Sequence, residues 1–150
     1  MNYSNKNMKS NFYLLTFLLI IFFTINGYAA ERKKYNFNSE WRLQVGDFPQ
    51  AKKPDFKDSS WKQVTLPHAF NEDEAFRISI EQHTDTVVWY RKHFRIEELR
   101  GKKVFVEFEG VRQGGEFFLN GQYLGLHENG VMAVGFDLTP YMKEGDNVLA

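Results

Sequence analysis

From Trp41 to the last residue, apolar side chains recur every two positions rather than every 3.6. This period is that of an extended strand with one buried face. In Val87–Ile96 one face carries Val88, Tyr90, Phe94 and Ile96, interrupted by Lys92. The other carries Val87, Trp89, Arg91, His93 and Arg95. In Lys103–Val111, Val104, Val106 and Phe108 alternate with Phe105, Glu107 and Glu109. Such alternation belongs to antiparallel sheets with one wet face.

The stretch 117–124 reads as a hairpin, because Asn120-Gly121 at its centre suits the two positive-φ positions of a type I′ turn. Shorter strands are predicted at Trp41–Val45, Gln63–Leu66 and Val134–Leu138. A last strand begins at Asn147 and meets the end of the sequence without a terminator. It predicts that the chain is the front of a longer protein or a truncated product. Asp55–Trp61 is expected to make a turn or a short 3₁₀ piece, since Asp and Ser bond their own backbone readily. Thr139-Pro140-Tyr141-Met142 starts one helical turn. Short strands with turns every 8–15 residues predict an all-β antiparallel sandwich.

The first 29 residues read differently. Lys6 and Lys9 precede an apolar run, Phe12–Ile25, whose length suits a signal peptide and falls short of the ~20 residues of a membrane span. Gly27 and Ala29 offer small residues for cleavage between Ala29 and Ala30. The competing reading is an uncleaved membrane anchor, and Met8 is an alternative start. Residues 30–35 form a basic, flexible leader, and 36–150 the folded domain. Cleavage removes two of the 19 basic side chains and none of the 19 acidic ones, leaving a mildly acidic chain. The expectation is export to a bacterial periplasm or exterior. With no cysteine there is no disulfide framework and no thiolate metal site. Balanced charge argues against a nucleic-acid binder.

Chemistry is sparse. Glycoside hydrolysis needs two carboxyl groups facing each other across a bond. Glu72, Asp73 and Glu74 are adjacent in sequence and cannot flank a substrate, so they read first as an acidic solvated loop. His68, His83, His93 and His127 lack the spacing of a metal pair. Ser59 and Ser60 have no glycine elbow. Gly114-Gly115 suits a bulge or a close backbone approach. Trp41, Trp61 and Trp89 could stack on sugars, but their strand positions favour the core. Arg91, if buried, needs a carboxylate partner.

Several segments, in order, resemble the N-terminal sugar-binding domain of glycoside hydrolase family 2. They are Phe37-Asn38-Ser39-Glu40-Trp41-Arg42, Pro54-Asp55-Phe56-Lys57-Asp58-Ser59-Ser60-Trp61, Leu66-Pro67-His68 and Trp89-Tyr90-Arg91-Lys92. Then come Val104–Val111, Phe118-Leu119-Asn120-Gly121 with Leu124-Gly125, and Phe136-Asp137-Leu138-Thr139-Pro140-Tyr141 with Asn147-Val148-Leu149-Ala150. The resemblance implies a jelly-roll β-sandwich of the galactose-binding-domain kind. In the family it is followed by an immunoglobulin-like domain and a (β/α)₈ barrel that holds the catalytic glutamates. A barrel takes about 250 residues, more than this chain has, so no catalytic residue is expected here.

The resemblance also implies that the loop after Leu66-Pro67-His68 reaches the sugar site. His68, Asn71, Glu72 and Asp73 are its candidate contacts. Many relatives continue that word with Asp-Trp; here Ala69-Phe70 follows. The implied parent is an exported retaining exo-β-glycosidase, β-galactosidase-like, with β-glucuronidase or β-mannosidase as alternatives. The expected partners are a β-galactoside-like oligosaccharide and the parent's C-terminal domains. No cofactor, metal, nucleic acid or, after cleavage, membrane is expected. Two other readings stand beside this one, a free carbohydrate-binding module and an inactive remnant.

Overall fold

The computed structural model describes residues 32–71 and 86–150. The expected signal peptide and loop residues Glu72 to Ala75 lie outside them. Asn36–Ala150 is one compact unit and carries the fold. Among the described residues no helix is long and apolar enough to cross a membrane.

Among the described residues eight strands occur in order: β1 Trp41–Val45, β2 Lys62–Val64, β3 Val88–Ile96, β4 Phe105–Phe108, β5 Gly115–Leu119, β6 Gln122–His127, β7 Val134–Asp137 and β8 Gly145–Leu149. Six form one sheet in the order β2-β1-β3-β8-β5-β6, and β4 and β7 pair in a second. All pairings are antiparallel. The chain passes from the large sheet to the small at β4 and again at β7, the layer crossing of a jelly roll.

The expected strands are present with shifted ends: β1 keeps its bounds, β3, β4 and β7 are shorter, the hairpin strands extend from Gly115 to His127, and β8 begins at Gly145. β2 stops at Val64 because the next residues leave the ladder: the Leu66 amide donates to the Asn38 carbonyl at 2.8 Å, and the Leu66–Pro67 bond is cis. β4 starts at Phe105, the Val104 amide being taken by the Thr139 hydroxyl at 2.9 Å. The 3₁₀ turn lies at Pro49–Lys52, earlier than the Asp55–Trp61 site expected of it, which makes turns instead. Asp58 does not bond its own backbone there, because its carboxylate is engaged by cations. The helical turn after Leu138 is present: its carbonyl accepts from Tyr141 and Met142, each at 3.0 Å.

Trp41, Leu43, Val64, Val106, Leu119, Leu138 and Leu149 form the buried core between the sheets. One row crosses the large sheet in register, from Val64 through Trp41, Lys92 and Leu149 to Leu119. Lys92 is the polar interruption noted in the strand pattern, and it is 6% exposed. Its stem lies in the apolar row while Nζ reaches the Ser39 carbonyl and sits 5.2 Å from the Phe37 ring centre. A lysine can bury its methylenes in this way if its charge finds a polar exit.

Asn120 (φ 53°) and Gly121 (φ 85°) make the β5–β6 turn as expected. A Cβ on Gly121 would meet only ordinary contacts, 3.6 Å or more away. Gly121→Ala is therefore expected to cost only the left-handed backbone penalty, about 1–2 kcal/mol, read as a lower urea midpoint with unchanged slope. The Asn120 side chain also fastens β8: Oδ1 accepts from the Val148 amide at 3.0 Å and Nδ2 donates to Asn147 Oδ1 at 2.8 Å.

The bulge suggested for Gly114-Gly115 is displaced. The register shifts between Phe117 and Phe118, where Phe117 faces Gly125 and Phe118 faces Tyr123. Gly125 (φ 157°) packs so closely on Phe136 that a Cβ would come within 2.9 Å of it. Gly115 instead provides a close approach, since a Cβ there would lie 3.3 Å from Val111 Cγ1.

Candidate functional site

The loop expected to reach sugar begins where β2 ends. His68 is half-buried, and its Nδ1 lies 3.1 Å from the Tyr90 hydroxyl, the two rings meeting edge to face at 6.1 Å. Tyr90 belongs to the inward face of β3, packed against the core. His68 is thus tied to the scaffold by a side chain 22 positions away. Ala69 and Phe70 are exposed and Asn71 is half-buried. The structure therefore brings His68 and Asn71 into one short segment, its first residue anchored. Glu72 and Asp73 lie outside the described residues.

A second polar centre lies on the outer face of the large sheet. Arg42 on β1 and Arg91 on β3 are directly opposite each other. Like charges in that position repel. Asp58, 5% exposed, resolves the conflict. Its Oδ1 accepts from Arg42 at 3.2 Å, and its Oδ2 lies 2.7 Å from His93 Nε2 and 3.3 Å from Arg91 Nε. The last approach is an ion pair without an aligned hydrogen bond.

Arg91, 0% exposed, spends its other nitrogens on main-chain carbonyls: Phe56 at 2.9 Å and Lys53 at 3.0 Å. Burial pushes the guanidinium pKa down, and the Asp58 charge pulls it back up. The carboxylate that Arg91 needed is thus Asp58. It fixes the segment from the 3₁₀ turn to β2 over the sheet. The sequence reading missed Asp58; the only trace of it was the requirement set by Arg91.

The tryptophans divide between layers. Trp41 is buried in the core, its Nε1 donating to the Phe37 carbonyl at 2.9 Å. Trp61 packs outside between Phe48 and Phe56. Trp89 stacks on Phe118 with centroids 6.2 Å apart. None is an open platform. Among the described residues no three His, Asp or Glu side chains gather as a metal site.

This geometry is a scaffold with one anchored loop, and the comparisons agree with it. Residues 36–150 match the profile of "Glycosyl hydrolases family 2, sugar binding domain". The chain is 39% identical over 131 residues to a β-glucuronidase of Formosa agariphila, with 81% of this chain and 13% of that protein covered. It is 38% identical over 132 residues to the β-galactosidase BoGH2A of Bacteroides ovatus, with 81% and 15% covered. A solved family 2 β-glucuronidase superposes with a TM-score of 0.73 at 37% identity, over 81% of this chain and 14% of that one. The chain thus spans about one seventh of the length of these relatives. By sequence profile and by fold alike, this chain belongs to glycosyl hydrolase family 2, and residues 36–150 are a sugar-binding domain of that family.

Proposed function

We propose that the chain is the amino-terminal module of an exported retaining exo-β-glycosidase. The module holds no reactive carboxylates of its own and lends the segment from Pro67 to Ala75 to the sugar site. The observation that carries this reading is the family match over 36–150 in a chain that spans only 13% of its 39%-identical relative. His68 is the fixed end of that segment, tied to Tyr90. Asn71, Glu72 and Asp73 are the groups that follow it toward sugar hydroxyls.

The substrate of the parent enzyme is a β-galactoside. Positions 72–85 carry Glu72, Asp73, Glu74, Glu81 and Asp85 against the single basic Arg77. A segment of that charge favours a neutral sugar over a uronate. The second reading is a β-glucuronide, favoured by the β-glucuronidase among the relatives at 39% identity. Assay of the intact enzyme on 4-nitrophenyl β-galactoside and β-glucuronide separates the two. Faster turnover of the glucuronide would reject the charge argument. The isolated chain is expected to hydrolyse neither, and turnover traced to its own side chains would end the whole reading. Amino-terminal sequencing of the exported protein should begin at Ala30.

In the intact enzyme, Asn71→Ala should weaken kcat/KM by roughly 2- to 13-fold. That is the equivalent of one neutral hydrogen bond of about 0.5–1.5 kcal/mol. Wild-type kinetics in the variant would remove Asn71 from the site.

A further inference from the structure

The start of the loop is held by side chains of one strand, β3. The Leu66 amide donates to the Asn38 carbonyl at 2.8 Å, and the Leu66 side chain packs against the core. Ser39, next to Asn38, has its carbonyl held by Lys92 Nζ. Two residues after Leu66, His68 Nδ1 meets the Tyr90 hydroxyl at 3.1 Å. Tyr90 and Lys92 are alternate residues of β3, so they share its inward face at a spacing of about 7 Å. Pro67 lies between the two held residues, and its ring removes one free backbone rotation there.

Tyr90 is a firm post for this purpose. Its backbone is paired with Leu43 of β1, and its ring packs against the core. A tyrosine hydroxyl both donates and accepts, so the pair can form with either imidazole tautomer and with the imidazolium. Beyond His68, the side chains of Ala69 and Phe70 are exposed, and the chain sets out toward Asn71 in the direction fixed at His68. Asn71 is three residues on, at most about 10 Å along the chain. A swing of about 10° at His68 would carry a point at that distance by roughly 1.7 Å, well beyond the ~0.5 Å within which a binding group must be held.

We infer that Tyr90 is a positioning residue of the sugar site: its hydroxyl, acting through His68, sets where the Asn71 amide stands. The Leu66 bond alone leaves the segment a pivot, and the second hold, two residues on, removes it. Tyr90 acts on His68 rather than on the sugar, so its hydroxyl matters only while Asn71 has a bond to make. The inference rests on the reading that Asn71 bonds a sugar hydroxyl, and it is independent of which sugar the parent cleaves.

The test uses the intact enzyme on whichever of the two 4-nitrophenyl glycosides it hydrolyses, as wild type, Tyr90→Phe, Asn71→Ala and the double variant. Tyr90→Phe keeps the ring and its packing and removes only the hydroxyl. It should raise KM by roughly 2- to 13-fold, the loss of one neutral hydrogen bond. The turnover number should change little, because the misplaced amide weakens a hold made in ground and transition state alike. The double variant should be no worse than Asn71→Ala, since no bond is left for the hydroxyl to place. Losses that multiply in the double variant, or a fall confined to kcat, would overturn the inference. Wild-type kinetics in Tyr90→Phe beside an impaired Asn71→Ala would overturn it and leave the reading of Asn71 standing. Wild-type kinetics in both single variants would remove that reading, and the inference with it.

Discussion

Replacing Arg91 with alanine should destabilise the domain by about 3–5 kcal/mol, the usual cost of removing one partner from a buried ion pair. The guanidinium is fully buried. It pairs with Asp58 and satisfies the carbonyls of Phe56 and Lys53. Its loss leaves a cavity, two carbonyls without that donor, and a buried carboxylate held only by Arg42 and His93. Arg91→Lys should recover little, because an ammonium lacks the planar fork that donates to both carbonyls while it pairs with Asp58. Urea unfolding of the wild type, both single variants and the Arg91→Ala/Asp58→Ala double variant measures this. The double variant should cost less than the sum of Arg91→Ala and Asp58→Ala, since the second loss removes the charge stranded by the first. A loss under about 1 kcal/mol for Arg91→Ala would show that the cluster adds nothing net, as some buried pairs do not.

Trp41→Ala is expected to cost a similar amount, about 3–5 kcal/mol, for a different reason. The indole is 3% exposed and meets Phe37 and Phe108 edge to face, at 5.9 and 6.2 Å. It links the two sheets, since Phe108 belongs to β4. The same truncation at Trp61, half-buried on the outside of the sandwich, should cost clearly less. Equal losses at the two positions, measured as midpoint shifts at constant slope, would contradict the assignment of Trp41 to the core and Trp61 to the cover.

What could be read from the sequence was local. The period of two located β1, β3, β4 and β7, and Asn120-Gly121 located the β5–β6 turn, because alternation and turn chemistry act over a few residues. What escaped depends on distant partners. Nothing near Asp58 says that Arg42, Arg91 and His93 converge on it, since the nearest of them in sequence is 16 positions away. Lys92 looked like a break in an apolar face, yet it stays on that face because Ser39 offers an exit at the rim. The bulge at Phe117/Phe118 follows from the fit of Phe136 against Gly125, which a strand pattern cannot express. The candidate loop was half legible. Leu66-Pro67-His68 marked its start through the family resemblance, and the bond from His68 to Tyr90 emerged only with the fold.

The central place of β8 also bears on how the domain is made. It is the last of the eight described strands to leave the ribosome, yet it joins β3 to β5 in the large sheet. Until it emerges, β1–β3 and the β5–β6 hairpin are two separate pieces with no shared hydrogen bonds among the described strands. Closure must await translation of Val148 and Leu149, and it depends on contacts far apart in sequence, which slow folding.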